Sequence, residues 1–129
     1  MDLRPPPVLA VGVTGHRRIK LHGVEARALE DSIKGLIEGI RAGLATWASD
    51  NSVFQPIAPV VRIVGMAADG ADLIGARAGF QAGAQLANIL PFPLDNYLAD
   101  FTDADAQVVF KEVVTSSQAT LELPGTRDE

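Results

Sequence analysis

The chain has 129 residues, 47% hydrophobic and 21% charged, with no cysteine and a net charge of −5. That composition excludes a disordered polypeptide, and the missing cysteine excludes a disulfide scaffold or a thiolate metal site. The charge is uneven: residues 1–64 carry +2 and residues 65–129 carry −7, which disfavours general nucleic-acid binding, since that depends on neutralising phosphates. A small anion held by a local basic loop is still compatible with it. No apolar run reaches the length of a membrane span. The opening MDLRPPPVLA lacks the apolar run and cleavage site of a signal peptide. With no cysteine, this fits a cytoplasmic protein.

Residues 1–7, with three successive prolines, read as a flexible arm. Residues 8–13 form a short apolar strand. It barely alternates, as expected when both faces are buried in a parallel sheet. Residues 22–50 read as a long helix. Its apolar positions Ile33, Ile37, Ile40, Leu44 and Trp47 recur at three- and four-residue steps. Glu30, Lys34 and Glu38 can pair along another side. Gly35, Gly39 and Gly43 suggest close packing of this helix on a sheet. A loop with two prolines, residues 51–59, leads to a second strand over 60–64.

The next helix opens within MAADGADLIGARAGFQAG. Leu73, Ala76 and Phe80 form its apolar side, and Gly83 stops it. Residues 85–90 make a third strand, closed by Pro91 and Pro93. A further helix starts at Asp100 or Thr102, where Thr102 and Asp105 have capping-box spacing. Val109, Phe110, Val113 and Val114 give it an apolar side. Residues 119–123 are a candidate fourth strand, and residues 124–129 a loose tail. Strands alternating with helices imply one α/β domain over residues 1–129: a Rossmann-like three-layer sandwich on a mostly parallel sheet.

Open parallel sheets bind ligands beyond the carboxyl ends of their strands. Three segments reach that rim: residues 12–20, 65–72 and 91–101. In the first, Gly12 and Gly15 allow a tight turn, Thr14 offers a hydroxyl, and Arg17 and Arg18 can grip phosphate. The alternative is a strand-end turn with solvated arginines. His16 can act as a general acid or a phosphate donor. Its plainer reading is a loop histidine bonded to a carbonyl, because no carboxylate partner can be assigned. His22 reads as a surface residue, and two isolated histidines make a weak case for metal.

In the second segment Asp69 and Asp72 suit a ribose hydroxyl or a magnesium ion, or else cap the helix start. Capping is the stronger reading for Asp69; for Asp72 the two stand level. In the third, Tyr97 and Phe101 form either an aromatic wall for a base or a cover on the core edge. Trp47 reads as core.

GVTGHR after the first strand, followed by VGMAADGADLIGARAGFQAGAQLANILPFPLDNYLADF, resembles the SLOG superfamily over about residues 8–115. That superfamily groups the DNA-processing protein A (Smf) and the lysine-decarboxylase-like "lonely guy" proteins. The likeness is to its prokaryotic branch with a TGHR loop, a segment of the type S-L-A-E-G-A-D-R-hydrophobic-A, then L-P-F-P and Y-x-x-D-F. The resemblance implies a Rossmann-like domain that binds or senses a nucleotide or nucleotide derivative. Its ligand loop would be Gly12, Thr14, Gly15, His16 and Arg17. Gly65, Ala67, Gly70 and Asp72 would follow, then Pro91 and Phe92.

Enzymatic relatives cleave the base from a nucleoside monophosphate and carry PGGxGTxxE, which nothing here matches. PGT at residues 124–126 lacks the glutamate three residues on. MAADGAD also replaces the commoner S-x-A-E-G-A-D, with Met66 and Asp69 at the altered positions. The resemblance therefore implies a binding domain rather than an enzyme, with no metal or cofactor beyond a nucleotide-type ligand. The alternatives are an N-glycosidase or phosphoribohydrolase using Asp69 or Asp72, and a DNA-binding relative, disfavoured by the acidic balance. Relatives continue with at least one more strand and glycine-rich loop, so the sheet is expected to be incomplete at its C-terminal side. Its exposed edge would be covered by a second copy, a partner or a further segment.

Overall fold

A computed structural model of the chain describes residues 1–17 and 23–126. Four strands, β1 (Val8–Gly12), β2 (Val60–Gly65), β3 (Gln85–Leu90) and β4 (Ala119–Glu122), form one sheet in the order β1-β2-β3-β4. All three pairings are parallel. The helices are α1 (Val24–Ser49), α2 (Ala71–Gln81), α3 (Leu94–Leu98) and α4 (Ala104–Ser116). This is the expected Rossmann-like α/β class on a parallel sheet, but among the described residues the helices form one layer rather than the two of a three-layer sandwich.

Strand register fixes what each face carries. Val11 pairs with Ile63, and Ile63 with Leu86. On that face Val61, Ile63, Leu86, Asn88 and Leu90 are buried. Helix α2 lies directly over it: a Cβ at Gly79 would come within 2.8 Å of Ile63 Cγ1. Helix α1 packs along one side of α2 and α4 along the other. Sequential strand order with crossovers of one hand puts every connecting helix on the same face. The alternate residues Ala10, Ile89, Ala119 and Leu121 are exposed, and Val64 and Ala87 half-buried. Among the described residues no helix covers them. That face holds one charged group, Arg62, whose Nη2 donates to Gln85 Oε1 at 3.1 Å.

Several sequence expectations change. The 26 residues of α1 run about 39 Å, whereas strands of four to six residues span only about 13–20 Å. The end of α1 therefore overhangs the sheet. Trp47, expected in the core, is half exposed and packs on Phe54 with ring centres 4.9 Å apart. Gly35, Gly39 and Gly43 do not pack on the sheet, and a Cβ at any of them would meet nothing within 4 Å. Gly35 and Gly39 each lie two residues from buried Ile37, about 200° round the helix. Glu30 pairs with Arg77 of α2 rather than serving only its own helix.

Phe80, expected on the apolar side of α2, is also half exposed. Gly83, with φ +89°, follows the end of α2 as expected. The cap of α4 is Asp103, whose carboxylate accepts from the Asp105 N–H at 2.9 Å, not Thr102. The short α3 was not expected. The arm is tied down at its base: Gln55 N–H donates to the Pro5 carbonyl, Val60 N–H to the Pro7 carbonyl, and Pro7 is buried.

One hydrophobic cluster joins the covered face to its helices. Beneath α4 it becomes aromatic: Tyr97 stands 5.6 Å from Phe110 and 5.9 Å from Phe101, and Phe101 lies 4.7 Å from Phe110. Among the described residues, Asn88 is the one buried polar residue. It donates to Ser117 Oγ at 2.6 Å and Thr120 Oγ1 at 3.2 Å, fastening the start of β4 to β3.

Candidate ligand site at the strand carboxyl ends

The loops after β1 and β2 are locked together. Ala71 N–H, the first of α2, donates to the His16 carbonyl at 3.0 Å. Gly70 makes this possible, with φ +96° and ψ −134°, a conformation that L side chains rarely adopt. A Cβ there would also lie 2.6 Å from Arg17 Cα and collide with the His16 carbonyl oxygen. Gly15 does the same from the other side, since its Cβ would sit 2.6 Å from Ala71 Cβ. Both loops thus form one surface. Ala67, also at positive φ (51°), completes the turn after Gly65 and is buried.

On this surface Thr14, Gly15, His16 and Arg17 are exposed, as is Gly12 at the strand end. Gly65 is half-buried, and a Cβ there would lie 3.4 Å from the Val13 carbonyl oxygen, an ordinary contact. Arg18 and His22 lie outside the described residues. Neither Asp69 nor Asp72 caps α2; the cap position is Gly70 and no side chain bonds there. Asp72 sits in the first turn. Burial pushes its carboxyl up from the usual range, and this outweighs the opposing pull of Arg17 and of the Gly15 and Ala68 N–H groups. Its Oδ1 is buried without a hydrogen-bond partner.

Arg17, Ala68, Asp69, Tyr97, Asp100 and Phe101 line a cavity of about 210 Å³ where the first two loops meet α3 and the loop after it. Of the described residues that the resemblance names as ligand contacts, only Arg17 lines it; Asp69, Tyr97 and Phe101, weighed on their residue types, line it too. Tyr97 and Phe101 are 1% and 2% exposed, so they belong to the core edge rather than an open aromatic wall. Even so, the Tyr97 hydroxyl is buried and unpartnered. Burial pushes its pKa up to about 12; Arg17 opposes this, while Asp72 and Asp100 add to it. Phe92 is half-buried against Tyr97 at 5.8 Å. Pro91 is half-buried, and its carbonyl is packed against Gly125, so residues 124–126 lie on the third loop rather than loose. Glu122 holds this loop by accepting from the Leu94 N–H at 2.6 Å.

Larger cavities exist elsewhere. One of about 270 Å³ lies between α2 and α4, and one of about 430 Å³ lies under the overhang of α1. Neither touches the loops at the strand carboxyl ends. Among the described residues, no group of three or more His, Asp or Glu could hold a metal ion, so a magnesium role for Asp69 and Asp72 gains nothing from the fold. No described helix is long and apolar enough to cross a membrane. Asp69, a candidate from its residue type, does line the cavity, whereas Asp100 as a lining residue escapes sequence reasoning. The signal was the segment DNYLADF itself, read there for its rings rather than its oxygens. Comparison with family models, with curated proteins and with solved structures found no match in any of the three.

Proposed function

We propose that this domain binds a nucleotide or nucleotide derivative at the carboxyl ends of its strands, without carrying out chemistry on it. The observation that carries the reading is the junction of two loops through Gly70, which sets Arg17 at a cavity at the strand carboxyl ends. A guanidinium suits phosphate. The GVTGHR and GADL segments supply the resemblance to nucleotide-binding SLOG domains. No glutamate motif of the enzymatic branch is present. Thr14, Gly15 and His16 are then phosphate-side contacts. A cytoplasmic setting and a second copy or partner covering the open side of the sheet belong to the same reading.

The test is thermal unfolding against a panel of nucleotides. At a hundred times Kd, a ligand specific for the folded state adds about 2.7 kcal/mol, several degrees for a domain this size. Arg17→Ala should lose most of that gain. If no nucleotide raises the Tm of the wild type, the reading fails. An equal response from Arg17→Ala would instead move the phosphate away from this loop.

A hydrolase reading is favoured by one observation, the upward shift at Asp72, which suits a proton donor. Incubation with nucleoside monophosphates and chromatography for free base decides it. No release at high protein concentration removes it.

A further inference from the structure

The cavity under the overhang of α1 lies at the amino ends of the strands, at the other end of the sheet from Arg17, and holds about 430 Å³. Its wall comes from three stretches: Ala45 and Ala48 of α1, Phe54, Pro56 and Ile57 of the loop leading into β2, and Arg4 of the arm. The arm is a fixed part of that wall. Gln55 N–H donates to the Pro5 carbonyl at 3.0 Å, Gln55 Nε2 to the Arg4 carbonyl, and Arg4 Nη1 to the Ser52 carbonyl at 3.4 Å.

Small side chains leave the space open. Ala45 and Ala48 stand three residues apart on α1, on one side of the helix. The large ring between them in sequence, Trp47, does not line the cavity and packs on Phe54 instead. Pockets that enclose small organic ligands hold about 300–1,000 Å³, so this one takes a whole molecule.

The wall also selects by charge. Among the described residues it holds one ionic side chain, Arg4, and that charge is already matched. The guanidinium grips both carboxylate oxygens of Asp2, with Nη2 at 2.7 Å from Oδ2 and Nε at 3.0 Å from Oδ1. An anion would have to displace Asp2, and a cation would meet the guanidinium. Two of the last carbonyls of α1, which would draw a cation, already accept hydrogen bonds: Thr46 from Asp50 N–H and the Ser49 hydroxyl, and Ala48 from Asn51 N–H. The remaining polar residues of the wall, Ser49, Asn51, Ser52 and Gln55, are uncharged.

We infer that this cavity binds one uncharged, largely apolar organic molecule, as a second site at the opposite end of the sheet from the proposed nucleotide site. It does not depend on the nucleotide reading.

The probe is N-phenyl-1-naphthylamine, an uncharged aromatic whose fluorescence rises in apolar surroundings. Its anionic counterpart, 8-anilinonaphthalene-1-sulfonate, has the same rings and a sulfonate. Both are titrated into the wild type, Ala48→Leu, Ala45→Leu and Ile89→Ser, and thermal unfolding of all four proteins runs alongside. The two leucine variants put bulk into the cavity and keep a strong helix former in α1. Ile89→Ser changes the open face of the sheet, the other apolar surface within reach of a dye. The uncharged probe should saturate the wild type at one molecule per chain. Each leucine variant should weaken it at least tenfold, and Ile89→Ser should leave it unchanged. The sulfonate should bind the wild type at least tenfold more weakly.

Equal binding by the wild type and both leucine variants overturns the inference, and so does loss of binding in Ile89→Ser alone. Equal affinity for the sulfonate overturns the assignment of an uncharged ligand. Absence of saturable binding to the wild type overturns the site outright. If one leucine variant melts several degrees lower, the other decides. A drop of that size in both means that the space is too tight to admit a ligand, which overturns the inference as well.

Discussion

The two faces of the sheet are made from alternate residues of the same strands. Leu86 and Leu90 are sealed on one side, while Ile89 between them is 40% exposed on the other. Hydropathy cannot separate them, since all three are equally apolar. What separates them is the path of the chain. Each crossover returns over the same side, so α1, α2 and α4 crowd one face and leave the other open. Burial in a parallel sheet is thus decided by connection order as much as by residue type.

Four measurements can break or sharpen that contrast. The largest effect is expected from Leu86→Ala, which should cost about 3 kcal/mol in denaturant unfolding, as for other fully buried leucines. Gly70→Ala should cost about 2 kcal/mol or more, because it combines an unfavourable φ with a backbone collision. It should also abolish ligand-induced stabilisation by parting the two loops. Ile89→Ala should cost about 1 kcal/mol or less. An Ile89 loss equal to that of Leu86 would show that the open face is covered in solution.

The smallest effect is a titration. Asp72 has a raised folded pKa, so the folded state binds more protons than the unfolded one just above pH 3.8. The carboxyl favours folding fully below that pH, and the advantage is lost as pH rises through the folded value. Asp72→Asn should therefore raise the Tm at pH 7, with the gain disappearing near pH 3.8. A gain that stays constant with pH would mean the carboxylate is not desolvated by its buried surroundings.

Much of the fold was legible in the sequence. Strand β3 and the stop at Gly83 fall where alternation and punctuation put them, and the parallel class follows from the order of elements. The failures have physical causes. Trp47 and Phe80 have the right helical spacing, but spacing gives no information on where a helix outruns its sheet. The glycines of α1 fall on the side away from its buried stripe. At the candidate site, the loops were legible as loops, and the contact between Gly70 and His16 was not, since it depends on two segments more than fifty residues apart. Tyr97 was ambiguous because one residue does two things: its ring completes the core, and the residue also lines a cavity.

The order β1-β2-β3-β4 has a topological consequence. Every strand so far is added in one direction, so no reversal point exists among the described strands, and in open α/β sheets the ligand crevice opens at such a reversal. The cavity beside Arg17 therefore owes its walls to the loops and to α3 rather than to a parting of neighbouring strands. The same one-way order that crowds the helices over one face also leaves the described sheet without a natural cleft.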